Sequence, residues 1–161
     1  MLCEGDGATG QIWECPLFFP VGDHWVLIVS PMGRVMYNIG DFDGKIFIPT
    51  EWRVLDHGQP YYAPNCLQDL QGRQILIGWI RGGGKGPWNG CFSIPGVLSL
   101  QGSGKDQRLV MSPIPELKQI RFNPWKMTNI VVKSGEGLPL PQVDSGCCEI
   151  EIQINAPLVG K

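Results

Sequence analysis

Apolar residues run along this chain in short stretches separated by turn-forming residues. His24 to Ser30 (HWVLIVS) is one such stretch, rich in Val, Ile and Trp. Val35 to Ile39 and Lys45 to Ile48 (KIFI) follow it, after breaks at PMG and GDFDG. Gln74 to Ile80 (QILIGWI), Cys91 to Leu100, Arg108 to Met111 and Asn129 to Val132 continue the series. Cys148 to Ile154 (CEIEIQI) alternates apolar and polar with period two. Runs of this kind, recurring every ~8–12 residues, predict an all-β chain built as a sandwich, barrel or propeller. No window carries a helical period, and the best helical candidate is a single turn near Pro115 to Ile120.

Two repeat-like units can be drawn, from about Gln11 to Asp56 and from about His57 to Pro113. Each holds several strand signals, as a propeller blade does, although their sequences share negligible identity. Pro113, Pro115 and Pro124 mark a connector over residues 114–126. The pattern then restarts with NIVVKS and, past the Gly/Pro-rich SGEGLPLPQVDSG, with CEIEIQI. Residues 127–161 are therefore expected to open a separate sheet, after a first domain over residues 1–113.

Composition narrows the function. The 161 residues carry a formal net charge of -2 and no basic run, which argues against nucleic acid as a partner. No apolar stretch is long enough to cross a bilayer as a helix, so no membrane partner is expected. The first ten residues, MLCEGDGATG, show no signal-peptide pattern. Gly (22) and Pro (14) are dispersed between apolar runs, which reads as many turns and not as disorder. The six cysteines form no CxxC pair and there are only two histidines, so a zinc site is not expected. The plain reading is buried free thiols, with Cys147 and Cys148 on a strand; disulfides are the alternative, which the spacing does not demand. Arg81–Gly86 and Gly102–Asp106 are Gly-rich but lack phosphate-loop spacing, and read as flexible turns.

The candidate chemistry lies in QIWECPLFFP, residues 11–20. Glu14 sits between Trp13 and Cys15, ahead of Pro16 and an aromatic pair. Apolar neighbours of that kind would desolvate the carboxyl group and favour its protonated form, as a general acid needs. A solvated strand-end glutamate is the plain alternative.

Glu14-Cys15-Pro16 with its aromatic pair resembles the Glu-Cys-Pro motif of glycoside hydrolase family 32, the invertases, inulinases, levanases and fructan hydrolases. The resemblance continues in order. His24–Leu27 and Tyr37–Asp43 look like the family's next strands. Asp56-His57-Gly58 with Tyr62-Ala63 resembles its Asp-x-Gly…Tyr-Ala element, and Gly78-Trp79 its Gly-Trp strand. Trp88-Asn89-Gly90 with Ser93-Ile94-Pro95 resembles its Trp-x-Gly…Ser-Ile-Pro segment, and Pro113 through Glu116-Leu117 to Arg121 its connector. The match covers most of residues 11–121. It departs at Gly96, where the family usually has Arg.

The resemblance implies a fold and a set of roles. The fold is a five-bladed β-propeller followed by a β-sandwich, of which this chain would hold about the last two blades, the connector and the first sandwich strands. Glu14 aligns with the catalytic acid/base. Asp56 aligns with a carboxylate near the donor sugar, although a turn-forming Asp before Gly58 explains it as well. Tyr62 and Trp79 are candidates to line the sugar pocket, or else core aromatics. The implied reaction is retaining hydrolysis of terminal β-fructofuranosyl bonds in sucrose or fructans, with no cofactor.

Retaining hydrolysis needs a second carboxylate about 5–5.5 Å from the first. The family's Asp nucleophile and its Arg-Asp-Pro motif occur nowhere in this chain, and Asp41 and Asp43 read as turn residues in GDFDG. The chain alone is therefore expected to be inactive, its missing partner being the N-terminal half of the propeller. Two other readings stay open: a non-catalytic carbohydrate-binding propeller of the same descent, and a related five-bladed glycosidase acting on arabinose or xylose polymers. A purely structural β-domain is the third.

Overall fold

The computed structural model describes residues 2–5, 7, 9–82, 86–138 and 148–155. The chain divides into two units, residues 1–121 and 122–161.

The first unit contains two antiparallel sheets, each drawn from one of the two repeat-like segments. Sheet A holds β1 (Glu14–Val21), β2 (His24–Ser30), β3 (Met36–Phe42), β4 (Phe47–Pro49) and β5 (Arg53–Val54). Its strands lie in the order β1-β2-β3-β4, with β5 also paired to β3. Sheet B holds β6 (Tyr61–Gln68), β7 (Gln74–Ile80), β8 (Cys91–Phe92), β9 (Gly96–Gln101) and β10 (Arg108–Pro113). Its order is β10-β9-β7-β6, with β8 also paired to β7.

The continuous apolar run of β2 has a simple cause: both faces of the strand are covered. Val26 and Ile28 point into a core shared with Tyr61, Tyr62, Leu76, Leu98 and Leu109 of sheet B. Leu27 and Val29 point the other way, into a second cluster with Phe47, Phe18 and Trp25. There Phe18 stacks on Trp25 at 4.7 Å and meets Phe42 and Phe47 edge-on. β7 has one well-covered face, so its burial alternates, with Gln74, Leu76 and Gly78 buried.

Polar links join the sheets as well. Arg53 Nη1 donates to the Gln107 carbonyl at 2.5 Å and Nη2 to that of Lys105 at 2.6 Å. Gln74 Nε2 donates to the Pro20 carbonyl, and the Leu109 amide to Tyr37 Oη.

The helical turn at Pro115–Ile120 is a 3-10 turn. Its Glu116 is held by Arg73, which also pairs with Asp69 (Nη2–Oε1 2.7 Å, Nε–Oδ2 2.6 Å). The Arg73 bond holds the Glu116 carboxyl below its ordinary value of 4.5. For Asp69, burial pushes upward, but the side-chain and backbone bonds from Arg73 outweigh it and the net shift is downward from 3.8. Both carboxyls thus bind protons less readily folded than unfolded, so they stabilise the fold above about pH 4.5 and lose that effect as the pH falls. Glu116→Gln should lower the melting temperature at pH 7, and the difference from the parent should close below about pH 4. Thermal melts across that range check this.

Several expectations need correction. β4 begins at Phe47 and not at Lys45, because the amides of Lys45 and Ile46 bond Asp43 Oδ1 in a turn (2.8 and 2.7 Å). Those two backbone bonds, Ile46 first, hold Asp43 below the ordinary carboxylate range. Asp43 is thus a turn residue, but Asp41 lies within β3, opposite Ile48, and pairs with His24 at 3.2 Å. The apolar runs give no sign of β1 or β6. The cysteines described are not buried: Cys15, Cys91 and Cys148 are exposed, and Cys3 and Cys66 half-buried. Burial pushes the Cys66 thiol up to about 11. Cys147 lies outside the described residues.

In the second unit no strand forms among the described residues. The sequence pattern predicts strands at Asn129–Val132 and Cys148–Ile154, yet both are irregular and exposed, with Val131 at 84% and Ile152 at 73%. Alternation selects a face, but a strand also needs a neighbour for its amides and carbonyls. Among the described residues neither segment joins a sheet.

Candidate active site

Glu14 opens β1 opposite Ser30, and one register step is then lost: Glu14 pairs with Ser30 but Leu17 with Ile28. Three residues on β1 answer two on β2, which defines a β-bulge. Cys15 inside it has φ 46°. The same device recurs in sheet B. Tyr62 pairs with Trp79 but Asn65 with Ile77, and Ala63 has φ 43°. The bulge thus occupies Cys15-Pro16 in one sheet and Ala63-Pro64 in the other. Proline suits the position because it has no amide to leave unpaired. A side-chain-bearing residue in the left-handed region costs roughly 1–3 kcal/mol, a strain typical of residues beside functional groups.

The residues just before the two bulges, Glu14 and Tyr62, meet across the sheets: Tyr62 Oη is hydrogen-bonded to Glu14 Oε2. The same hydroxyl lies 2.9 Å from the Ser30 carbonyl oxygen. Tyr62 is buried, 8% exposed, in the shared core. Burial, and then the bond to Glu14, hold its phenol above the ordinary tyrosine value of 10.0. Glu14 itself is exposed. The expectation that Trp13 and the following aromatics desolvate it is corrected here. Trp13 packs edge-on against Trp52, with Nε1 bonded to Thr9 Oγ1, and Phe18 belongs to the second core cluster.

Asp56 and Trp79 lie elsewhere around sheet B. Asp56 Oδ1 accepts the Gly58 amide at 2.8 Å, so it does form the turn. It also borders an open cleft of about 440 Å³ together with Tyr61, Ile80, Phe92 and Ser93. Burial, then the Asp56 charge, push the Tyr61 phenol up to about 12. Trp79, 40% exposed, faces Tyr62 on one side of β7 and Phe92 on the other. The structure therefore brings Glu14 and Tyr62 into contact and leaves Asp56 beside Tyr61.

Several motif residues have local reasons. A Cβ on Gly78 would run into the Tyr61 ring, so only glycine leaves room for it. The Gly78 amide donates to Ser93 Oγ and the Ser93 amide to the Gly78 carbonyl, which couples Gly-Trp to Ser-Ile-Pro. At Gly96, where the family usually carries Arg, the Met111 side chain occupies the space that a Cβ would need.

The sequence profile for the "Glycosyl hydrolases family 32 N-terminal domain" matches residues 2–113. This chain belongs to glycosyl hydrolase family 32. It is 34% identical over 154 residues to a sucrose-6-phosphate hydrolase of Bacillus subtilis, covering 81% of this chain and 31% of the relative. It is 31% identical over 193 residues to a cell wall β-fructofuranosidase of Pisum sativum, covering 98% and 34%. A Bombyx mori family 32 β-fructofuranosidase superposes with a TM-score of 0.65 at 28% identity, over 76% of this chain and 30% of that one. The chain thus spans about a third of the length of these glycosidases. Its all-β fold is that of the family's propeller, and the two sheets are two of its five blades.

Proposed function

We propose that this family 32 chain supplies the acid/base half of a retaining site that hydrolyses terminal β-fructofuranosyl bonds in sucrose or fructans. The contact between Glu14 and Tyr62 carries the reading. A general acid must be held at a fixed place with its proton available. Tyr62 is anchored in the core and presents one hydroxyl to Glu14 and to the Ser30 carbonyl. With Glu14 ionised, the phenol donates to the carboxylate. With Glu14 protonated, the phenol can turn its hydrogen to Ser30 and leave the carboxyl proton for the glycosidic oxygen. The site therefore tolerates both protonation states that a two-step mechanism visits. Asp56 and Trp79 are assigned to the donor sugar and the pocket wall, and Tyr62 to the pocket through Glu14. Residues 127–161 are assigned to the opening of the β-sandwich that follows a propeller ending near residue 113.

The nucleophile is assigned to blades outside these 161 residues. Residues 1–161 alone should release no fructose from sucrose, inulin or levan. The chain joined to family 32 blades carrying the family's Asp nucleophile should hydrolyse at least one of them. Turnover by residues 1–161 alone would overturn the two-part site. Sugar binding without hydrolysis in the completed protein would favour a carbohydrate-binding propeller.

A further inference from the structure

Arg81 follows β7 directly, at the head of the Gly-rich Arg81–Gly86 segment that reads in sequence as a plain turn. Its side chain is not idle. The guanidinium carbon lies 4.6 Å from the centroid of the Tyr62 ring. Nη2 donates to the Gln59 carbonyl at 2.7 Å and to the Gly33 carbonyl at 3.1 Å. Its own amide donates to the Pro60 carbonyl at 2.8 Å. Gln59 and Pro60 lead into the strand that bears Tyr62, and Gly33 lies in the β2–β3 turn just past Ser30. The half-buried guanidinium therefore spans both blades at the end where Glu14 and Tyr62 meet.

We propose that Arg81 is a positioning residue for Glu14, acting through Tyr62, in the reaction assigned above. Its Nη2 amino group bonds one carbonyl from each blade, and its charge lies over the aromatic face, where a cation is attracted. A cation there polarises the phenol and strengthens its O–H as a donor to the Glu14 carboxylate. The charged groups acting on Tyr62 are Glu14 from β1, which holds the phenol protonated to higher pH, and Arg81, which favours its ionisation.

This rests on the fructosidase reading for its catalytic meaning but not for its physical test. NMR of the protein with 13C-labelled tyrosine follows the ionisation of Tyr37, Tyr61 and Tyr62, with Tyr62→Phe to assign the signal. Arg81→Met should move Tyr62 to higher pH, because the cation is lost while burial and Glu14 remain. Arg81→Lys, which restores charge without the flat guanidinium over the ring, should return the signal part of the way. A merely structural arginine predicts the opposite sign: loosening would relax Tyr62 downward toward 10.0. An unmoved or lowered Tyr62 in Arg81→Met overturns the proposal. In the completed enzyme, Arg81→Met should lower kcat about tenfold with KM unchanged, since the interaction would be spent in the transition state. If no fructoside is hydrolysed, the function falls, while the titration still decides the role of Arg81.

Discussion

Glu14→Gln in the completed enzyme should lower kcat by about 10²–10⁴-fold, the usual contribution of a positioned proton donor. The replacement is nearly isosteric, and its carbonyl oxygen can still accept the bond from Tyr62. In the proposed role, what it loses is the proton for the glycosidic oxygen and, in the second step, the base that activates water. KM for sucrose should change little, because binding before bond cleavage does not need that proton. An aryl fructoside, whose leaving group needs little protonation, should recover part of the first step but none of the second. Steady-state kinetics with both substrates checks this. A loss of only a few-fold on sucrose would reject Glu14 as acid/base.

Leu76→Ala should cost about 2–5 kcal/mol, the range for emptying a buried leucine site. Leu76 is fully buried and points from β7 into the core that also holds Val26 and Ile28 of sheet A. That core is the main apolar contact between the blades, so the loss would be a large part of a typical stability of about 5–15 kcal/mol. Urea denaturation should show a lower midpoint with an unchanged slope. Leu76→Met, which nearly conserves volume, should cost less than about 1.5 kcal/mol. A cost under about 1 kcal/mol for the alanine would mean that the two sheets do not depend on one shared core.

Much of the fold is legible because burial writes itself into sequence. β2 is covered on both faces and reads as an unbroken apolar run, and β7 carries QILIGWI against the shared core. β1 and β6 are not legible as strands, since Pro16, Pro20 and Pro64 interrupt them and a bulge breaks the period in each. A signal is nonetheless present: Glu14-Cys15-Pro16 and Tyr62-Ala63-Pro64 occupy matching places in successive sheets. The candidate acid is legible only through its family motif, and its physical setting is not. The aromatics beside it in sequence turn into the core, whereas its partner lies 48 positions away. No local pattern reports a contact at that separation. Arg81 is hidden for a related reason, since its neighbours in sequence are glycines and its partners are the Tyr62 ring and backbone carbonyls. At 129–132 and 148–154 the error runs the other way, because a strand-like pattern says nothing of whether a pairing partner is present.

The twin bulges set the carboxylate and its tyrosine by counting. A ladder has period two, so removing one residue between Glu14 and Leu17 would erase the bulge and turn Glu14 to the opposite face of its sheet. The same holds for Tyr62 and Asn65. Substitutions at the bulge positions Cys15 and Ala63 can be gradual in effect, whereas single-residue insertions and deletions there cannot. Over generations, selection on these short stretches therefore acts on their length as well as on the side chains they carry.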